Sequence, residues 1–220
     1  MLNADISNKV KEFQEKNKNE DRNASFDYCY NYFRNSSADE IEQNIEKSCL
    51  HLMSYLASWG MLRGSSFLLK KSIKYYETLI KYIIELKRDD SKIFDIDVDT
   101  YTNDNMKLIE GVYIEINRIL GGKASSILIT KIMLGIFGCV PAYDINFTST
   151  FKNIFKNKCG FSKMNINSLE CIKEFYENNK KEIDELHQKI LTKSFITGQN
   201  SQIKYTRAKI IDMYGFQKNL

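Results

Sequence analysis

Proline occurs once in these 220 residues, tryptophan once and histidine twice. With Pro141 as the only proline, nothing but glycine and polar runs can end a helix elsewhere, and proline-rich linkers are excluded. His51 and His187 stand on separate stretches, without cysteine or carboxylate at metal-ligand spacing, so no zinc site and no other metal centre is expected. The five cysteines (Cys29, Cys49, Cys139, Cys159 and Cys171) are odd in number and form no CxxC pair, which argues against a disulfide framework. A GxSxG elbow is absent. The run GGKASS, Gly121 to Ser126, looks like the end of a phosphate-binding loop. Asn117, however, stands where that motif needs its first glycine, and Ala124 follows Lys123. No cofactor is therefore expected. An apolar N-terminal leader is also missing, which makes a reducing, bacterial cytoplasm the expected setting.

The segment that organises the rest is ASSILITKIMLGIFGCVPAYD, Ala124 to Asp144. Over 124–137 only Thr130 and Lys131 interrupt the apolar residues after Ser126, so the helix is greasy over most of its circumference and belongs inside a bundle. Fourteen residues at 1.5 Å each reach ~21 Å, short of the ~30 Å that a membrane span needs, and no membrane partner is expected. Gly138 fits the C-terminal stop, and Pro141 keeps the helix from restarting at once. Asp144 is then held just past the end of a rigid element.

Helical spacing recurs on both sides of this segment. Ile6, Val10 and Phe13 mark one short helix, and Phe26, Cys29, Tyr30 and Phe33 another. Ser37 with Glu40 fits a capping box opening a helix that runs to Trp59. Ser65 or Ser66 opens the next, through Leu69, Ile73, Tyr76, Ile80 and Ile83. Phe94 to Thr102 alternates apolar and acidic residues, predicting an edge strand or extended loop. A calcium loop would need glycine where Thr100 stands, so Asp95, Asp97 and Asp99 read as a solvated acidic loop. Met106 to Ile119, Phe147 to Phe155, Asn167 to Ile190 and Tyr205 to Tyr214 complete the set. The expected fold is all-α, a single irregular bundle of eight or nine helices over 1–220 around a buried 124–137, with 1–36 as a candidate peripheral N-terminal arm.

The net charge of +4 is mild, but its placement is uneven. Lys152, Lys156, Lys158 and Lys163 fall in a stretch without acid, interleaved with Phe147, Phe151, Phe155 and Phe161. Lys189, Lys193, Lys204, Arg207 and Lys209 make a second such zone. Cations at this density can neutralise phosphates while exposed aromatics stack on bases. The alternative is that the phenylalanines are core and the lysines solvate the outer face. Arg63 and Lys123 each stand beside a glycine-rich helix start, where free amides can hold a phosphate.

Two segments, YLASWGMLRGSSFLL (Tyr55 to Leu69) and KIMLGIFGCVPAYD (Lys131 to Asp144), resemble a family of uncharacterised bacterial helical proteins of no known activity. The order Gly121, Gly122, Lys123, apolar helix, Pro141, Asp144 and aromatic helix is also similar to that of the helix-hairpin-helix DNA glycosylases, although their LPGVG signature is absent. That resemblance implies a catalytic Asp144, stabilising a developing sugar cation or activating the nucleophile, with Lys131 or Arg63 as cationic support. The expected function is a cytoplasmic binding protein contacting nucleic acid through Arg63, Lys123, Lys131, Lys152, Lys156, Lys158, Lys204, Arg207 and Lys209. A DNA-acting enzyme is the alternative, and a protein-protein module of a toxin or phage-defence system is a third reading.

Overall fold

In a computed structural model, which describes residues 5–219, the chain is almost wholly helical. In order come α1 (Ile6–Glu15), α2 (Ala24–Asn35), α3 (Ala38–Gln43), α4 (Ile45–Ser58), α5 (Glu77–Arg88), α6 (Asn103–Ile119), α7 (Ser126–Phe137), α8 (Ile145–Ile154), α9 (Ile166–Asn178) and α10 (Lys180–Lys189). A two-stranded antiparallel ribbon, β1 (Leu191–Lys193) and β2 (Asn200–Lys204), precedes α11 (Arg207–Lys218). Among the described residues no helix is long and apolar enough to cross a membrane.

The greasy segment is α7, and it is central. Every residue from Leu128 to Phe137 is buried, with α2, α4 and α6 packed around it. Ser125 caps its start by accepting from the Leu128 amide. At its end Gly138 takes φ +69°, a left-handed stop open to glycine at no steric cost. Gly135 has a different role, because a Cβ there would lie 2.5 Å from the Tyr55 ring, so α4 and α7 approach by way of a missing side chain. The second layer is α8 and α1 against α11. The N-terminal helices expected as a peripheral arm are part of this packing: Ile6, Val10 and Phe13 of α1 are buried against α11, and Phe26, Cys29 and Phe33 of α2 face α4 and α7.

The count of helices rises to eleven because asparagine divides two expected elements. Asn44 leaves the helical region at φ −127°, and its side-chain amide donates to the Glu40 carbonyl, separating α3 from α4. Asn179, also at φ −127°, does the same between α9 and α10 by donating to the Phe175 carbonyl. An asparagine side chain that competes for backbone partners ends a helix without proline. The helix expected from Ser65 or Ser66 is replaced by two short 3-10 turns, and α5 begins only at Glu77. Ser66 accepts from the Leu68 amide and donates to the Met61 carbonyl, which fixes a tight turn and leaves Leu69 exposed. The acidic alternation forms no strand, and of its three carboxylates Asp95 and Asp99 stay exposed while Asp97 does not. Asp97 caps a 3-10 turn over Val98–Thr100 and is turned inward to accept from the Arg207 and Ala208 amides.

Candidate functional site

The loop that joins α7 to α8 is pinned from every side. The Tyr101 hydroxyl donates to the Cys139 carbonyl at 2.6 Å and Thr206 to that of Gly138 at 2.8 Å, while the Tyr143 amide donates to Thr130 at 2.9 Å. Buried backbone groups need such partners, and here they fix where Asp144 emerges. Asp144 caps α8, accepting from the Phe147 amide at 3.0 Å through Oδ1, and its Oδ2 lies 3.4 Å from Nζ of Lys131.

A second buried pair meets the first. Lys209 Nζ is 2.7 Å from Oδ2 of Asp212, whose Oδ1 accepts from the Ala142 amide at 3.0 Å. Both ammonium groups sit against the Trp59 ring, Lys131 at 4.8 Å and Lys209 at 5.4 Å from its centroid, and Lys209 also lies 4.5 Å from that of Phe26. An aromatic face attracts a desolvated cation, which accounts for the placement. Burial lowers the pKa of Lys131, opposed by Asp144 and Asp212. Burial likewise raises that of Asp144, opposed by Lys131. The Asp144 side chain keeps 17% of its surface in contact with solvent, against 4% for Lys131 and 3% for Lys209. The indole N–H of Trp59 is buried and has no acceptor among the described residues. Two cations and two anions thus share a low-dielectric space, an arrangement that is expensive to assemble and typical of sites that do chemistry.

The second region is open. α8 turns Phe147 and Phe151 inward and Lys152 outward, and in the turn after it Phe155 is buried while Lys156 and Lys158 are exposed. Beside this turn, α8, α9 and the end of α11 enclose a cavity of about 820 Å³ that Lys156 and Lys158 help to line. Lys158 is bound to Glu174 of α9 at 2.6 Å. The four phenylalanines read as stacking platforms, Phe147, Phe151, Phe155 and Phe161, are at most 6% exposed and pack on one another instead: Phe147 and Phe151 share the core face of α8, and Phe155 and Phe161 close against them from the segment that follows. A smaller cavity of about 400 Å³ lies between α6 and the segment before α9, with Asn117, Ser126 and Lys163 in its wall. Asp144 lines neither of these two cavities.

The remaining candidate residues are dispersed. Lys131 and Lys209 join Asp144 inside, so neither meets a surface phosphate as placed. Arg207 is also turned inward, held by Asp184 at 2.6 Å and by Asp97 and Asp99 at 3.5 and 3.4 Å. Only Lys204, bonded to Gln188, and Lys189 remain exposed in the second basic zone, with Lys193 half-buried. Arg63 and Lys123 are exposed on separate turns and line neither cavity. Both histidines serve packing: His51 stacks on Tyr32 with ring centroids 4.1 Å apart, and His187 Nδ1 meets the Tyr205 carbonyl at 2.7 Å.

Asp212 and Asp27 escaped the reading of the sequence. Asp212 had a signal, since KIID places a lysine and an aspartate three apart among apolar residues, as an internal pair would be. Asp27 is fully buried, accepting from the Tyr205 hydroxyl at 2.5 Å and the Lys193 amide at 3.0 Å, and burial raises its pKa to about 6. These two partners lie more than 160 residues away, and only Asn17, which donates to it at 3.4 Å, is near in sequence. No family model, curated protein or solved structure matches the chain.

Proposed function

We propose that this chain binds nucleic acid through the outer face of α8 and the turn that follows it. What supports the reading is one observation: Lys152, Lys156 and Lys158 all face water, beside a cavity of about 820 Å³. Lys152 and Lys156 can neutralise phosphates directly, and Lys158 joins them where a phosphate displaces Glu174, without demanding a base sequence. Binding of a labelled single-stranded oligonucleotide should weaken by about 20-fold between 50 and 200 mM salt if about three phosphates are neutralised. Lys152→Gln, Lys156→Gln and Lys158→Gln combined should remove most of that slope. Undetectable or salt-independent binding would sink the proposal.

A second reading, an enzyme acting on DNA, draws on a different observation: an amine and a carboxylate 3.4 Å apart at the start of α8, with the carboxylate still in reach of solvent. There Asp144 would stabilise positive charge developing on a sugar and Lys131 would hold the carboxylate in place. Asp144→Asn is the informative variant, because asparagine still caps α8 while losing the charge. Release of bases from DNA carrying damaged or modified nucleotides should disappear in it. Release that persists in this variant, or no release from any substrate offered to the native chain, removes this reading.

A further inference from the structure

The cavity beside α8 holds three chemistries that do not usually meet by accident of packing, and we infer that it is a site for one unstacked nucleotide. The inference deepens the nucleic-acid reading and shares with it only the lysines. Its floor is apolar and flat: Phe175 and Tyr214 stack with centroids 5.3 Å apart, and Phe155 lies beside them. Each is at most 6% exposed, so the floor is an apolar seat rather than an open ring face to intercalate against.

The rim supplies hydrogen bonds. Asn153, Asn157 and Asn178 are exposed at the cavity, and their side-chain amides have no partner among the described residues. An amide both donates and accepts, which matches the mixed edge of a nucleobase, whereas a purely apolar ligand would leave these groups unpaired. Lys156 and Lys218 add positive charge at the same mouth, where a phosphate would sit. Lys158 is neutralised by Glu174, whose second function here is as an acceptor: a carboxylate in the wall pairs with an exocyclic amino group. Bases that carry such a group are therefore preferred to uracil and thymine. About 820 Å³ falls within the range of ligand pockets, and a single nucleotide fits it where a duplex does not.

The nucleotide can arrive free or within a strand, and the experiment separates the two. Isothermal titration of the full chain with adenosine, cytidine and uridine monophosphates, and with an eight-residue oligonucleotide, reads each source directly. Adenosine and cytidine monophosphates should bind at least five-fold more tightly than uridine monophosphate, and Glu174→Gln should erase that difference. Asn153→Ala with Asn178→Ala, both on exposed positions, should weaken every nucleotide at least ten-fold. If the oligonucleotide binds with its salt dependence intact and the double asparagine variant changes nothing, the cavity is not the site, although the α8 reading survives. If mononucleotides bind and the oligonucleotide does not, the site stands and the strand reading falls. A neutral sugar that competes as well as a nucleotide overturns the assignment.

Discussion

Lys209 and Lys156 are the same residue type in two basic stretches of similar composition, and the fold uses them in opposite ways. Lys209 lies inside, 2.7 Å from Asp212 and against the rings of Phe26 and Trp59, while Lys156 stands in water beside a cavity. What separates them is the flanking pattern. On α8 and the turn after it the phenylalanines Phe147, Phe151 and Phe155 take the buried side, and Lys152 and Lys156 stand outside it. On α11 the neighbours of Lys209 are Ala208, Ile210, Ile211 and Met213, apolar nearly all round, and a lysine in such a helix goes inward unless it breaks the packing. Counting cations along the chain therefore overstates a basic surface wherever an acid sits three or four residues away.

The comparison breaks hardest at the inner lysine. Lys209→Met strands Asp212 as a buried, unpaired charge, and losing one partner of such a pair costs about 3–5 kcal/mol. Urea denaturation should show that loss, and adding Asp212→Asn should recover part of it, since asparagine can still accept from the Ala142 amide without carrying charge. A cost below ~1 kcal/mol for Lys209→Met would mean that the cluster is wetter than its burial implies.

Asp27 comes next. Its pKa rises from 3.8 in an unfolded chain to about 6 in the fold, so the protonated form favours folding. That contribution is complete below about pH 4 and is lost as pH rises to about 6. A shift of this size corresponds to about 3 kcal/mol. Compared with Asp27→Asn, the native chain should lose about that much stability between pH 4 and pH 7, and parallel pH profiles for the two would refute the assignment. Gly138→Ala should cost about 2 kcal/mol, the penalty for forcing a side chain into a left-handed turn. Its Cβ would also lie 2.8 Å from the Tyr30 ring, so the delivery of Asp144 should suffer along with α7.

How much of this was legible in the sequence follows a physical line. The all-helical class, the burial of 128–137 within the expected 124–137 and the stop at Gly138 follow from apolar periodicity and one glycine, which are local signals. Lys131 and Asp144 were singled out because each interrupts or follows that segment. In the fold Asp144 caps α8 and meets Lys131 at 3.4 Å across the connecting loop. What could not be read is what depends on distant partners. Asp97 looked solvated until Arg207, from 110 residues away, closed over it. The division of helices at Asn44 and Asn179 was legible in principle, since both asparagines end an apolar stripe, but each also fits a continuous helix. The short β1–β2 ribbon leaves little trace in the sequence, since each strand carries a single apolar residue, Leu191 and Ile203.

The smallest effect on stability belongs to the outer lysines, and it is the one that bears on function. Neutralising Lys152, Lys156 and Lys158 together should leave the urea midpoint within the ±0.5 kcal/mol typical of surface positions. Among the described residues the only ion pair lost is Lys158 with Glu174, whose side chains are 58% and 43% exposed, and pairs of that kind contribute ~0–1 kcal/mol. If stability falls further, these side chains are supporting the fold and lose their claim to a ligand. If stability holds and oligonucleotide affinity at 50 mM salt drops at least ten-fold, the two sets of lysines divide as their surroundings imply. The inner set then holds the helices together by charge, and the outer set, which the fold does not need, is left for a partner.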